Sequence, residues 1–271
     1  MEIRKIRVDQ AEIGMVVATD IYNMYGQLII AKGTILSERT ITRLRYYNIN
    51  GLQVYVQENQ EQPKEDSYIE TLRSSPDFKK FKRTYSDTVS QVESSFNEVL
   101  QGAEFNTDKL LAETNRIINE CRNGAHILEM LHGIRNYDDI TFVHSLNVAL
   151  ICNIFAGWLK LSEEDAKALT LAGLLHDIGK LLVPKEIITK ADKLTSDEYK
   201  IIQKHAIKGY QLLKDQPIDR RIKNAALMHH ERCDGSGYPN KFEAEQIDDF
   251  AKIVAIADVY DAMTSNRRYR S

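Results

Sequence analysis

Five histidines in the second half of this chain lie in apolar, helix-like stretches of the sequence. A single histidine in such surroundings is usually a hydrogen-bonded core residue. Five of them with neighbouring carboxylates form a set that suits divalent iron, manganese, zinc or nickel, because these ions bind neutral imidazole and carboxylate. The candidate metal ligands are His144, His176, Asp177, His205, His229, His230 and Asp258.

The number of candidate ligands indicates the kind of site. Asp258 lies in the apolar run VAIADVYD, where an ionised carboxylate is costly unless a cation compensates it. Seven ligands are too many for one tetrahedral zinc ion and suit two metal ions that share a carboxylate. Two such ions, about 3.5–4 Å apart, can hold a bridging hydroxide and polarise a phosphoryl oxygen. The residues therefore point to hydrolysis of a phosphate ester.

The stretch HHERCDGSGYP, residues 229–239, contains the least ambiguous part of the set. Side chains of consecutive residues diverge by about 100° within a helix, so adjacent histidines share one centre only where a helix ends. Gly235 and Gly237 would let the following loop turn sharply and bring its backbone close to a ligand.

Composition excludes several classes of protein. The 271 residues include 36 basic and 39 acidic side chains, for a net charge of -3, which argues against binding of DNA or RNA polymers. Three widely spaced cysteines do not form a disulfide framework and indicate a reducing compartment. The first residues show no signal-peptide core, and no apolar run approaches the roughly 18 residues of a membrane span. We expect a cytoplasmic protein without membrane insertion.

The elements that must position these residues fall into three predicted segments. Residues 1–58 combine short strand-like runs with a helix that begins after Ser37, and we predict a small α/β regulatory or partner-binding module. Residues 59–106 are interpreted as a polar linker and a connector helix. Residues 107–271 are predicted to form an all-α domain, so the fold class is mainly α.

The connector carries an apolar seam with spacings of three and four residues, which predicts a helix over residues 76–100. Such a seam is typical either of a helix packed on its own protein or of a homodimeric stalk, and both interpretations stay open. The seam residues are Phe78, Phe81, Tyr85, Val89, Val92, Phe96 and Val99.

Helix starts are marked in the all-α segment. One helix is predicted from about Thr107 to His132, and the apolar stretch after residue 140 predicts another. Capping-box-like starts at Ser162 and Thr195 predict two more, of which the second would carry His205.

The motifs resemble a known family. HDIGK (176–180), with His144 upstream and Asp258 downstream, resembles the HD superfamily of metal-dependent phosphohydrolases. HHERCDGSGYP and IADVYDAMTSNRRYR are similar to the signatures of HD-GYP domains, which are cyclic di-GMP phosphodiesterases. The resemblance covers roughly 107–271. Residues 1–56 more loosely resemble a small module that often precedes bacterial HD-GYP domains.

The resemblance implies a role for each ligand. Asp177 would bridge two divalent metal ions, with iron as the first expectation, manganese as the second, and zinc or nickel as alternatives. Lys180 would stabilise negative charge on a phosphate oxygen. Besides the shared Asp177, one ion would be held by His144, His176 and Asp258. The other would be held by Asp177 together with His205, His229 and His230.

The resemblance also implies a substrate, cyclic di-GMP, cut to linear pGpG and then to GMP. An arginine fork suits phosphate or a guanine edge because it binds two acceptors at once. The loop after the paired histidines, or the N-terminal module, would bind signalling proteins. The implied substrate contacts are Lys180, Gly235, Gly237, Tyr238, Asp261, Arg267 and Arg270.

Two departures from the family pattern qualify the expectation. Some members carry a glutamate four residues before the first ligand histidine, where this chain has Ile140, so we predict a dinuclear site. Asp138 lies nearby and could reach a metal-bound water. Family domains usually continue with further helices, which are missing after Ser271.

Two alternatives to the implied function stay open. One is a phosphodiesterase for the mixed GMP–AMP cyclic dinucleotide. The other is a sensor that binds cyclic di-GMP without hydrolysing it, and the complete set of candidate ligands argues against this second alternative.

Overall fold

The chain forms two compact units, residues 1–67 and 68–271, in a computed structural model. After Val56, all the described secondary-structure elements are helices, which confirms the mainly α fold class. The division places the predicted connector helix inside the second unit. The residues that the structure describes are 2–22, 28–47, 49, 51–56, 65–134, 141–190 and 192–264.

The first unit is a small α/β module. In one sheet the strand order is β1-β5-β2 with antiparallel pairing, and β3 pairs separately with β4. The Ser37 hydroxyl accepts a hydrogen bond from the backbone of Thr40, as expected of the residue that begins helix α1. The elements are β1 Glu2–Arg7, β2 Val16–Val17, β3 Ile21–Tyr22, β4 Leu28–Ile30, α1 Glu38–Tyr46 and β5 Gly51–Val56.

The second unit is a helical assembly around one apolar core. A short 3-10 helix, Ile178–Leu182, follows α7 directly. The helices are α2 Glu65–Ser74, α3 Pro76–Leu100, α4 Thr107–Glu120, α5 Gly124–Ile134, α6 Thr141–Trp158, α7 Glu163–Leu175, α8 Lys185–Ile188, α9 Ser196–Gln203, α10 His205–Leu213, α11 Arg220–Met228 and α12 Asp249–Thr264.

Two predicted helices are each interrupted. The helix expected from Thr107 to His132 is the pair α4 and α5, because Cys121 is extended and the Asn123 side chain accepts from the His126 backbone, which begins a new helix. The helix predicted from Thr195 ends at Gln203, so His205 begins α10. The predicted caps Ser162 and Thr195 each accept a backbone hydrogen bond at the start of their helix.

The apolar seam of α3 faces the core of its own unit. Phe96 packs edge-on against Phe142 with ring centroids 5.8 Å apart, and Phe81 stacks on Tyr85. Burial of each such side chain stabilises the fold by roughly 1.5–3 kcal/mol. The seam is therefore filled within one chain, which favours a helix packed on its own protein, the first of the two open interpretations. The buried seam residues are Phe78, Phe81, Tyr85, Val92, Phe96 and Val99.

Helix α6 is the centre of the second unit. Among the residues that the structure describes, it alone is long and apolar enough to cross a membrane, yet 67% of it is buried inside the protein. Its apolar composition is accounted for by its place in the core, where it packs on α7. Because α6 begins at Thr141, it carries His144 on its first turn.

Candidate metal centre

The ends of several helices bring the predicted ligands together. His176 caps the end of α7, Asp177 opens the 3-10 helix, and His205 opens α10. The paired histidines follow the last residue of α11, at a helix end as predicted. Potential ligand atoms lie within 4.8 Å of one another in two groups, His144–His176–Asp177 and Asp177–His205–His229–His230. Asp258 joins the first group, since its Oδ1 lies 3.1 Å from His144 Nε2.

Asp177 lies between the two groups and offers one oxygen to each. Its Oδ2 is 3.3 Å from His176 Nε2 and 3.5 Å from His144 Nε2. Its Oδ1 is 3.3 Å from His205 Nε2 and 3.6 Å from His229 Nε2. A carboxylate in this position can bridge two cations.

A close backbone approach sets the position of Asp177 relative to α10. A Cβ atom added to Gly179 would overlap the backbone carbonyl of His205 and the backbone nitrogen of Gly209. Only glycine lets the 3-10 helix lie this near to α10. The glycine of HDIGK therefore helps to bring His205 to Asp177.

Hydrogen bonds on the far side of the rings orient the histidines. The Nδ1 atoms of His176, His205 and His229 lie 2.6–3.0 Å from backbone carbonyl oxygens three or four residues earlier. A carbonyl only accepts, so each Nδ1 carries the proton and each Nε2 presents a lone pair to the centre. His144 is held likewise, with Nδ1 2.8 Å from Asp261 Oδ2. This arrangement is typical of histidines that ligate metals.

Two buried atoms of the centre lack hydrogen-bond partners among the described residues. They are His176 Nε2 and Asp177 Oδ1, which face different groups. Burying an unpaired polar atom costs free energy, and such atoms are rare in native structures. A cation in each group would supply both atoms with a partner, so the residues fit a pair of metal ions.

The two carboxylates of the centre favour nearby positive charge. Burial disfavours ionisation of Asp177, but the positive charge of Lys180 and the contacts with His176 and His205 outweigh burial and hold its pKa well below the usual range. Burial also opposes ionisation of Asp258, and its hydrogen bond with His144 outweighs this and lowers the pKa. Both groups are therefore carboxylates at neutral pH, as metal ligands must be.

His144 and His230 differ in their electrostatic environments. Burial disfavours a charged His144, but hydrogen bonds to Asp258 and Asp261 outweigh burial and raise its pKa to about 9. The carboxylates thus stabilise a positive charge there, whether a proton or a metal ion supplies it. Burial, with His229 and His205 nearby, lowers the pKa of His230, so its ring is neutral and can act as a ligand.

Lys180 reaches the centre from the 3-10 helix. Its Nζ donates to Asp177 Oδ2 at a distance of 2.5 Å, and its side chain is 26% exposed. An ammonium group that is both at the ligands and accessible to solvent is placed to meet an anionic ligand entering from outside.

The loop after the paired histidines is anchored by a residue that sequence reasoning missed. The buried Glu231 carboxylate accepts hydrogen bonds from the backbones of Asn240, at 2.6 Å, and Phe242, at 3.1 Å. A Cβ atom on Gly237 would overlap the backbone at Glu231, so glycine here makes room for the loop itself. Gly235 adopts a φ of 73° at the turn. An acidic residue directly after two ligand histidines was the available signal for Glu231.

Tyr238 lies against the centre. Its ring stacks on His230, with centroids 4.6 Å apart and an interplanar angle of 29°. The ring is half-buried, and burial raises its pKa, so the phenol stays protonated. The loop therefore covers one side of the His205–His229–His230 group with an aromatic surface.

Asp261 has a different position from the one predicted. It was expected to line a substrate cleft, but it is 4% exposed and lies behind His144, where its oxygens accept from His144 and Asn147. Asn147 in turn contacts Tyr85. Sequence reasoning missed Asn147 and Tyr85, although Asp261 lies one helical turn after Asp258 and could have been placed on the same face of α12.

Comparison with known proteins identifies the family. Residues 110–271, more than half of the chain, match the sequence profile of the HD domain. This chain belongs to the HD domain family. The family prediction made from HDIGK and its companion motifs is thereby confirmed.

Several relatives of this HD domain protein have named activities. A protein named cyclic di-GMP phosphodiesterase from Pseudomonas aeruginosa is 34% identical over 66% of this chain and 44% of the relative. The cyclic di-GMP phosphodiesterase response regulator RpfG of Xanthomonas campestris is 36% identical, covering 66% and 48%. A 3'3'-cGAMP-specific phosphodiesterase 1 from Vibrio cholerae is 45% identical, covering 48% and 30%. The chain thus matches less than half the length of each.

A solved structure agrees with the fold. An HDG"Y"P protein from Bdellovibrio bacteriovorus matches 97% of this chain and 89% of its own, with a TM-score of 0.59 and 20% sequence identity. At that identity the match supports the fold alone.

Some predicted residues of the HD domain lie outside the described part of the chain. They are Arg267 and Arg270, predicted to contact substrate, and Asp138 and Ile140, which bear on the dinuclear prediction.

Proposed function

We propose that this HD domain protein is a metal-dependent phosphodiesterase that hydrolyses cyclic di-GMP to pGpG, and pGpG further to GMP. The observation that carries the proposal is the position of Asp177, whose two oxygens face two separate groups of imidazole nitrogens. The named activities of the relatives support the same reaction class.

In this proposal two divalent metal ions share Asp177. His144, His176 and Asp258 would hold one ion, and His205, His229 and His230 the other. Iron is the preferred metal and manganese the next, because imidazole and carboxylate suit both. When bound, such ions supply a water-derived nucleophile at neutral pH and polarise a phosphoryl oxygen.

The surrounding residues would bind and orient the dinucleotide. Lys180 Nζ would move from Asp177 to a non-bridging phosphate oxygen and stabilise the charge that develops there. Tyr238 would pack on a base or on the sugar-phosphate. Water would attack phosphorus opposite the departing 3′ oxygen, so that one P–O bond forms and one breaks. The attacking water would lose a proton, and the 3′ oxygen would gain one to leave as a hydroxyl group.

Further proposals concern substrate contacts outside the metal centre, the location of the protein and its protein partners. Arg267 and Arg270 are proposed to bind phosphate or a guanine edge through their guanidinium groups. Gly235 and Gly237 are proposed to shape the loop that carries Tyr238. We also propose a cytoplasmic location, and contacts with signalling proteins through this loop or through residues 1–58.

A second candidate substrate is the mixed cyclic GMP–AMP dinucleotide. The relative from Vibrio cholerae that is 45% identical over 130 residues is named as specific for it. The ligand set described above would serve either substrate, since both present the same phosphodiester bond. Residues that contact the bases would decide between them.

The test is a comparison of the two substrates. Purified protein is incubated with cyclic di-GMP or with the mixed dinucleotide, and the linear dinucleotide and mononucleotides are followed by chromatography. We expect faster conversion of cyclic di-GMP than of the mixed dinucleotide. His230→Ala should abolish product formation, whereas His126→Ala, which alters a histidine outside the cluster, should form product at the normal rate. Faster turnover of the mixed dinucleotide would make that dinucleotide the assigned substrate in place of cyclic di-GMP. If neither dinucleotide were hydrolysed, the proposal would be contradicted.

A further inference from the structure

A buried chain of hydrogen bonds connects helix α3 to His144. Tyr85 on α3 donates its hydroxyl proton to Asn147 Oδ1, at 2.5 Å. Asn147 Nδ2 donates to Asp261 Oδ1 at 3.0 Å, and Asp261 Oδ2 lies 2.8 Å from His144 Nδ1. All four side chains are less than 9% exposed, so water does not compete for these bonds.

The chemistry of the groups fixes the direction of each bond. A carboxylate only accepts, so Asp261 requires the amide nitrogen of Asn147 on its side. The amide oxygen of Asn147 then faces Tyr85, whose hydroxyl must donate. Reversing any one bond would set two donors or two acceptors against each other. The chain therefore has one arrangement, and in it the Nδ1 proton of His144 points to Asp261 and Nε2 points to the centre.

We propose that Tyr85 is a positioning residue for the metal centre, acting through Asn147 and Asp261 to hold the His144 imidazole in its ligating orientation. The inference rests on the proposed metal-dependent function. It assigns a role to α3, which precedes the matched residues 110–271. Partners of this kind fix the orientation and basicity of a ligating histidine, and their removal weakens metal binding.

The test uses metal-free protein and Mn²⁺ as the probe. Calorimetric titration gives the number of equivalents and the dissociation constant of each. Tyr85→Phe removes the hydroxyl and keeps the ring against Phe81. Thr88→Val is the matched control. It also removes a buried hydroxyl from α3, but that hydroxyl donates to the backbone carbonyl of Glu113 and not to Asn147.

The expected result is selective. In Tyr85→Phe one of two Mn²⁺ equivalents should bind about fivefold more weakly, the size of one lost hydrogen bond, with the other unchanged. Thr88→Val should leave both equivalents unchanged. In an Asp261→Asn background, Tyr85→Phe should have no further effect, since the chain is already broken.

Three results would overturn the inference. Unchanged affinities in Tyr85→Phe would show that the hydroxyl does not act on the centre, and equal weakening of both equivalents would show general loosening instead. Additive effects of Tyr85→Phe and Asp261→Asn would likewise exclude a shared route. Failure of the proposed function looks different, because the unaltered chain would then bind no Mn²⁺, and this inference would fall with it.

Discussion

The two ligand groups of the centre are built in different ways. His205 and His229 each rest Nδ1 on a backbone carbonyl of their own chain segment, three or four residues earlier. His144 rests on the side chain of Asp261, which is 117 residues away. Local backbone thus orients His205 and His229, and it also orients His176 in the other group, whereas His144 is oriented by a side chain on a distant helix.

This difference determines what a substitution can reach. A backbone carbonyl cannot be removed by changing a side chain, so the orientation of His205 and His229 resists mutation. The orientation of His144 depends on side chains that can be altered without touching a ligand. The His144 group should therefore be the more adjustable half, and its properties should respond to changes in α3, α6 and α12.

The largest effect is expected where the two groups meet. Asp177→Asn keeps the shape of the side chain but replaces one oxygen with an amide that cannot accept, so both groups lose a charged ligand. We expect metal content to fall close to zero and hydrolysis to fall to background, measured by mass spectrometry and chromatography. Asp197→Asn, at an exposed residue paired with Lys200, is the control. Normal metal content in Asp177→Asn would show that the groups do not share this residue.

An intermediate effect is expected behind His144. Asp261→Asn offers one acceptor where His144 and Asn147 each need one, so the ring loses its fixed orientation. Metal affinity at one equivalent should fall by about 10–100-fold, with the second equivalent retained. Titration of the metal-free protein checks this. Loss of both equivalents together would contradict the contrast between the two groups.

A smaller effect is expected in the loop beside His230. In Glu231→Gln an amide NH2 replaces one carboxylate oxygen and cannot accept a hydrogen bond, so one of the two backbone N–H groups that bind Glu231 loses its partner. The free energy of unfolding should therefore fall by about 1–3 kcal/mol. Because the loop carries Tyr238, KM for the dinucleotide should rise by about tenfold while metal content is retained. The measurements are denaturant unfolding and initial rates, with exposed Glu245→Gln as the control. An unchanged KM would separate the loop from substrate binding.

The same contrast explains what the sequence could predict. The helix end at His229 and the caps at Ser162 and Thr195 depend on neighbours a few residues apart, and they were predicted. The candidate ligands were predicted from their residue types and from the family resemblance. The roles of Asp261, Asn147 and Tyr85 depend on contacts 62–117 residues apart, and they were missed or misplaced. A local sequence pattern does not indicate which helices pack against one another.

The fold shows the same limit. The apolar seam of α3 predicted a helix with one buried face, and the structure has that helix from Pro76 to Leu100. Its spacing could not tell whether that face packs on the same chain or on a second copy, because both bury the same residues. The break at Lys204 was missed because apolar spacing continues across it, and the break at Cys121 was missed although Asn123 and Gly124 form a turn signal.

If the two groups hold two metal ions through Asp177, the number of metal ions bound to each chain should show it. Protein purified without chelator is analysed by mass spectrometry for iron, manganese, zinc and nickel per chain, with folding checked by circular dichroism. We expect about two ions per chain, in agreement with the two-metal sites of phosphoester hydrolases. A folded chain that holds no metal, and takes up none when metals are supplied, would contradict it.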